Sequence, residues 1–204
     1  MPADYSGKSD KRVVVFGWSG CLPDSEPYRV AETLGAELAK AGFSVTTGGY
    51  CGTMEGVSKG ARENGGRVEG IITSAVFPVR QPKGNAFLHH VVDAPSLVSR
   101  IEVLTSRARY YVILPGTLGT LTELSVILSL SSLHPKGLPK PVIIAFTDPW
   151  KAAMEGMGAA LSVGRDHLDL MQYQPDVAAV IKAITEDYAA IVGSPTMEDY
   201  TPED

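Results

Sequence analysis

Tyr110-Tyr111-Val112-Ile113-Leu114-Pro115-Gly116-Thr117-Leu118-Gly119-Thr120-Leu121-Thr122-Glu123 runs from an unbroken apolar stretch, through glycines, into a helical pattern. A strand that is apolar on both faces is covered on both faces, as in the parallel sheets of α/β proteins. Glycines between such a strand and a helix let backbone N–H groups approach an anion, and the helix N-terminus adds its partial positive charge. Glu123 places a carboxylate about one turn further on. This one segment therefore proposes a fold, a ligand and a catalytic group.

The same alternation extends in both directions. Arg12-Val13-Val14-Val15-Phe16 is a β-branched run ending at Gly17, and Glu26 to Ala41 has helical spacing through Val30, Leu34 and Leu38. Phe43 to Thr47 repeats the strand, Gly48-Gly49 breaks it, and a helix with Met54, Val57 and Ala61 on one face stops near Asn64-Gly65-Gly66. Val68 to Thr73 is a third strand, Pro78 to Ala86 a polar loop, Val91-Val92 a short strand and Ser96 to Arg107 a helix. Beyond the glycine turn, the spacing predicts helices over Thr120 to Leu133, Trp150 to Leu161 and Pro175 to Val192, with a strand over Pro141 to Phe146. Alternating apolar strands and helices imply a Rossmann-like, doubly wound, mostly parallel sheet with helices on both faces. Ligands bind such sheets at the carboxyl ends of the strands, where chain order reverses.

Composition bounds the rest. A chain of 204 residues with 44% hydrophobic and 20% charged content fits one domain, expected over residues 1–192, followed by an acidic and disordered tail at 193–204. A net charge of −5 without a lysine/arginine run argues against nucleic acid as the main partner. No apolar stretch has the length of a membrane span or of a signal core, so a cytoplasmic protein is expected. Cys21 and Cys51, the only cysteines, are expected to be free thiols.

Three loops fall at strand ends: Gly17-Trp18-Ser19-Gly20, Gly48 to Thr53, and the Gly116 to Thr120 turn. The first lacks the spacing of a dinucleotide fingerprint, and no Gly-Lys-Ser or Gly-Lys-Thr offers a Walker lysine. Thr120-Leu121-Thr122-Glu123 also spells a capping box, in which Thr120 and Glu123 would only satisfy helix N–H groups. Arg100, near a helix start where a cation opposes the macrodipole, is either placed for a phosphate or exposed and paired with Glu102 or a partner chain. Arg80, Lys83 and Arg107 read as solvated charges, with Arg80 in a loop able to cover a site. His89 and His90 make a poor metal pair, pointing to opposite sides of an extended chain and lacking a third ligand.

At these residues the chain resembles the Lonely Guy (LOG) family, the cytokinin riboside 5′-monophosphate phosphoribohydrolases. That family's signature is P-G-G-x-G-T-x-x-E, preceded by an Arg-Lys pair on the previous helix. Pro115, Gly116, Gly119, Thr120 and Glu123 match it, and Arg100 falls at the distance of the family arginine. Val15 to Gly20 is similar to the family's first phosphate-side loop, and Gly48-Gly49 through Met54-Glu55-Gly56 to its G-G-G-x-x-G-L-M-G segment. Thr117, Tyr50 and Ile101 stand where the family has glycine, glycine and lysine, and Tyr50 is expected to narrow the pocket or stack on a base. The resemblance implies hydrolysis of the N-glycosidic bond of a nucleoside 5′-monophosphate, with Glu123 and Arg100 catalytic. It implies substrate binding by Gly17, Ser19, Gly48, Gly49, Met54, Gly116, Thr117, Gly119 and Thr120, no metal or organic cofactor, and a homodimer with the site near its interface. A non-catalytic nucleotide sensor is the alternative. Pyridoxal-phosphate decarboxylation lacks a lysine near these loops, and single-stranded DNA binding is opposed by the acidic charge.

Overall fold

The computed structural model describes residues 11–78, 81, 83–135 and 140–192. The chain runs β1 (Arg12–Phe16), α1 (Glu26–Lys40), β2 (Ser44–Thr47), α2 (Thr53–Glu63), β3 (Val68–Ile72), β4 (His90–Asp93), α3 (Leu97–Thr105) and β5 (Tyr110–Ile113). It continues through α4 (Leu118–Ser132), β6 (Val142–Phe146), α5 (Thr147–Leu161), α6 (Arg165–Leu168), β7 (Met171–Gln174) and α7 (Val177–Val192). All seven strands are parallel, in the order β4-β3-β2-β1-β5-β6-β7, and chain order reverses between β1 and β5. The expected doubly wound architecture is present, with every strand pair parallel.

Alternating residues of the same strands feed two separate cores. Val13, Val15, Val112 and Ile144 point to α1, α2 and α7, while Val14, Tyr111, Ile113 and Ile143 point to the face covered by α3, α4, α5 and α6. On the first face α1 and α2 pack almost backbone to backbone. A Cβ on Gly35 would strike the carbonyl oxygen of Val57, and one on Gly60 the carbonyl of Glu32. The opposite core is anchored by Trp150, 4% exposed, whose Nε1 donates to the carbonyl of Leu114 at 2.9 Å and so braces the start of the glycine turn from below.

Several boundaries differ from the sequence expectation. β7 and α6 were not foreseen: Met171-Gln172-Tyr173-Gln174 is an edge strand with only Met171 buried, so it carries little apolar pattern, and α6 is four residues long. α4 begins at Leu118 rather than Thr120, with Thr117 as its N-cap. The capping box lies instead at α3, where Ser96 Oγ accepts from the N–H of Ser99 and Ser99 Oγ from that of Ser96. Arg80 and the expected tail at 193–204 lie outside the described residues. No helix among the described residues is long and apolar enough to cross a membrane.

Candidate functional site

Arg100 and Glu123 meet at the carboxyl edge of the sheet. Arg100 Nη1 lies 3.0 Å from Glu123 Oε1, and the two residues are only 6% and 7% exposed. The guanidinium also donates from Nε to the carbonyl of Ile71 at 2.7 Å and from Nη2 to that of Gly48 at 3.1 Å. Arg100 is thus neither exposed nor paired with Glu102; α3 carries it inward across the ends of β2 and β3. Two of its five N–H groups remain beyond these three bonds. Burial pushes the Glu123 carboxyl above its ordinary value, against the lowering pull of Arg100.

The loop after β2 is shaped around this pair. A Cβ on Gly48 would collide with Arg100 Nη2 and Met54 Sδ, so glycine there is required by the close approach of the guanidinium. Gly49 adopts φ +76°, which turns the chain toward Tyr50. Tyr50 is 2% exposed, accepts a hydrogen bond from the N–H of Thr73 at 2.8 Å, and meets Phe77 edge-on at 5.8 Å. The Arg100 guanidinium lies 5.7 Å from the Tyr50 ring centre. The tyrosine is therefore a buried wall behind Arg100, and a stacking role on a base is not open to it.

The other two loops form an adjoining part of the same edge. Thr120 Oγ1 donates to the carbonyl of Gly17 at 2.9 Å, tying α4 to the loop after β1. Thr120 is therefore a tether across the strand ends, and the capping-box reading of Thr120 and Glu123 is replaced by these two tertiary contacts. Thr53 Oγ1 accepts from the N–H of Trp18 at 2.7 Å while its own N–H donates to the carbonyl of Trp18 at 2.9 Å. Ser19 joins the same clip through its carbonyl, 3.2 Å from the Cys51 thiol; both cysteines are free. The sequence placed Thr53 at the end of a strand-end loop and Trp150 at a helix start, but gave neither a role, since their partners lie far away in the chain.

The turn itself has an unexpected backbone. Thr117 has φ −119° and ψ −156°, and neither Gly116 nor Gly119 has a positive φ, so the threonine at the second signature position fits without strain. Gly116 is needed for a different reason, because a Cβ there would meet the Thr120 side chain. A Cβ on Gly119 would meet nothing within 4 Å, and Thr117, Leu118 and Gly119 are exposed. The first N–H groups of α4 have no carbonyl one turn back, so this end offers unpaired donors and a positive partial charge to an anion. Among the described residues no group of three or more His, Cys, Asp or Glu could hold a metal ion. A separate apolar groove of about 1200 Å³ between α1 and α7 reaches Pro115 and Thr53 but not Arg100 or Glu123.

The sequence profile of the SLOG cluster4 family matches residues 10–134, which span all three loops, Arg100 and Glu123. The chain is 31% identical over 140 residues to the cytokinin riboside 5′-monophosphate phosphoribohydrolase of Mycobacterium marinum, covering 67% of this chain and 70% of that one. It is 24% identical over 147 residues to the pyrimidine/purine nucleotide 5′-monophosphate nucleosidase of Escherichia coli K12, covering 69% of this chain but 32% of that protein. The fold is shared with the molybdenum cofactor carrier protein of Chlamydomonas reinhardtii, at 19% identity and a TM-score of 0.65 over 86% of this chain and 96% of that one. With its glycine loops, buried arginine and buried glutamate in the matched region, the chain belongs to the SLOG cluster4 family and is a LOG-like protein.

Proposed function

We propose that the protein is a phosphoribohydrolase that cleaves the N-glycosidic bond of a nucleoside 5′-monophosphate, releasing free base and ribose 5-phosphate. The observation that carries this reading is the buried Arg100–Glu123 pair, 3.0 Å apart, set beside the open N-terminus of α4. The names of the Mycobacterium marinum and Escherichia coli relatives support it. The phosphate sits against the N–H groups of Gly116, Thr117, Gly119 and Thr120, bounded by Gly17 and Ser19; Gly48, Gly49 and Met54 wall the sugar side.

Cleavage develops positive charge on the ribose as the C1′–N bond lengthens, so a nearby carboxylate lowers the barrier. Glu123 takes a proton from the attacking water as the water oxygen bonds to C1′ and the C1′–N bond breaks; the base nitrogen keeps the electron pair of that bond and takes up a proton from solvent water, and Glu123 returns its own proton to solvent afterwards. A carboxyl raised by burial is the better base for this step. Arg100 holds Glu123 in place and presents its remaining N–H groups to the substrate.

The site lies near the interface of a homodimer. Leu118 and Leu130 on α4 are 76% and 44% exposed, Leu133 just after the helix is 81% exposed, and Val98 on the adjoining α3 is 77% exposed. Exposed apolar side chains on these helices support a subunit contact here.

One observation favours a second reading, a non-catalytic nucleotide sensor. Three of the Arg100 N–H groups are taken by Glu123, Ile71 and Gly48 without any ligand, as in a structural ion pair. Incubation with AMP, GMP, CMP, UMP and isopentenyladenosine monophosphate, with assay of ribose 5-phosphate, separates the two. Release from at least one nucleotide, lost in Glu123→Gln, supports the hydrolase. Binding without turnover across the set overturns it in favour of the sensor.

A further inference from the structure

Among the described residues Trp18 is the one aromatic side chain that is exposed, at 37%, and it stands between Gly17 and Ser19 in the loop after β1. Its backbone is fully engaged. The N–H donates to Thr53 Oγ1 at 2.7 Å, and the carbonyl accepts from the Thr53 N–H at 2.9 Å and from Thr53 Oγ1 at 3.2 Å. On the other flank, Thr120 Oγ1 holds the carbonyl of Gly17. Trp18 is thereby pinned between the first turns of α2 and α4, where chain order reverses between β1 and β5. Ligands of doubly wound sheets bind at that point.

The indole itself is held by packing alone. It lies against Gly20, where a Cβ would run into its Nε1, Cε2 and Cζ2. Its N–H donates to no group among the described residues, whereas the indole N–H of Trp150 is taken by Leu114. The ring is thus seated on a tethered loop, partly open to solvent and free of a polar partner. No other aromatic residue near the three loops is open in this way: Tyr50 is buried behind Arg100, and Phe77 is half-buried and meets Tyr50 edge-on.

We propose that Trp18 is the platform on which the base of the bound nucleotide stacks, and that it makes purine ribonucleoside 5′-monophosphates the preferred class over pyrimidine ones. The inference rests on the nucleotide reading of the site given above, and it holds for a hydrolase and for a sensor alike. Gly17 and Ser19 bound the phosphate in that reading, so the exposed ring belongs to the same short loop as the phosphate contacts. Every base has a π-face, and stacking one on an aromatic side chain is worth roughly 5- to 150-fold in affinity. The fused rings of a purine cover more of an indole than the single ring of a pyrimidine, so the platform selects by area of overlap.

A fluorescent purine ribotide, ethenoadenosine 5′-monophosphate, tests this by stopped flow on the intact chain, on Trp18→Phe and on Trp18→Ala, with AMP, UMP and ribose 5-phosphate as competitors read before turnover. The wild type holds AMP at least about fivefold more tightly than UMP, Trp18→Ala loses that preference through weaker AMP binding, and Trp18→Phe, which keeps a smaller ring, loses less. Ribose 5-phosphate has no base, so its affinity is the same in all three proteins, which also shows that the variants keep a folded phosphate loop. AMP binding unchanged in Trp18→Ala overturns the proposal. So does an equal loss for AMP and ribose 5-phosphate, which makes the tryptophan a support for the loop and nothing more. A wild type that binds none of the competitors overturns the nucleotide reading and the platform together. Absence of hydrolysis with these affinity differences intact supports the platform and overturns the hydrolase alone.

Discussion

Arg100→Ala removes one of two charges that are each less than a tenth exposed, and the cost follows from what remains. Glu123 keeps a buried carboxylate with no counter-charge, and the carbonyls of Ile71 and Gly48 lose a charged donor. Breaking a buried pair in this way costs about 3–5 kcal/mol. The loss depends on pH with a definite sign. Burial already raises Glu123 above its ordinary 4.5 and Arg100 opposes this, so deleting Arg100 raises it further. A carboxyl raised in the folded state binds its proton more tightly there than in the unfolded chain, so stability is greatest below about pH 4.5 and falls as pH rises through the folded value. The deficit of Arg100→Ala against wild type is therefore largest near pH 8 and shrinks toward pH 5. In urea, with slopes of about 1–3 kcal/mol per molar, the midpoint followed by circular dichroism drops by roughly 1–5 M at pH 8 and by less at pH 5. Replacing both charges, Arg100→Met with Glu123→Leu, restores most of the lost stability while leaving no turnover, because neither partner is then stranded. A deficit below about 1 kcal/mol, a deficit equal at both pH values, or a double variant no more stable than Arg100→Ala refutes the reasoning.

Three other perturbations have defined outcomes. Gly119→Ala meets no atom within 4 Å and adds helix propensity worth up to about 1 kcal/mol, so the melting temperature holds or rises, while affinity for AMP falls at least tenfold because the methyl group stands over the helix N-terminus. Gly35→Ala sets a methyl against the carbonyl of Val57 and forces α1 from α2, a loss of about 1–3 kcal/mol in chemical denaturation despite the better propensity of alanine. Leu118→Glu with Leu130→Glu places charge on the exposed face of α4 and converts a dimer to a monomer in sedimentation velocity; a wild-type protein that sediments as a monomer removes the basis for an interface there.

The strands were legible because they are buried on both faces. Val13 to Phe16, Tyr110 to Leu114 and Val142 to Phe146 are near-continuous apolar runs, and such runs alternating with amphipathic helices leave few arrangements besides a parallel sheet. β7 was not legible, since an edge strand with one buried residue has no such run. Pro115 to Glu123 showed where a ligand end should be, but its local rules misled: Thr120 and Glu123 have the spacing of a capping box, and the helix starts two residues earlier. Local spacing cannot tell a side chain that turns back to its own helix from one taken by a distant partner. Gly17 takes Thr120 and Arg100 takes Glu123, across 103 and 23 residues of chain.

By itself, then, the sequence determined the alternation of strand and helix, the three glycine loops and the residue types gathered around them, all of which follow from short-range steric and hydrophobic periodicity. Only the tertiary structure decided that Arg100 is buried rather than solvated, that Tyr50 stands behind it rather than facing a base, and that His89 and His90 share a polar cleft with Arg67. Each of these depends on desolvation and on contacts between groups far apart in the chain, which exist only once the strands have been ordered into one sheet.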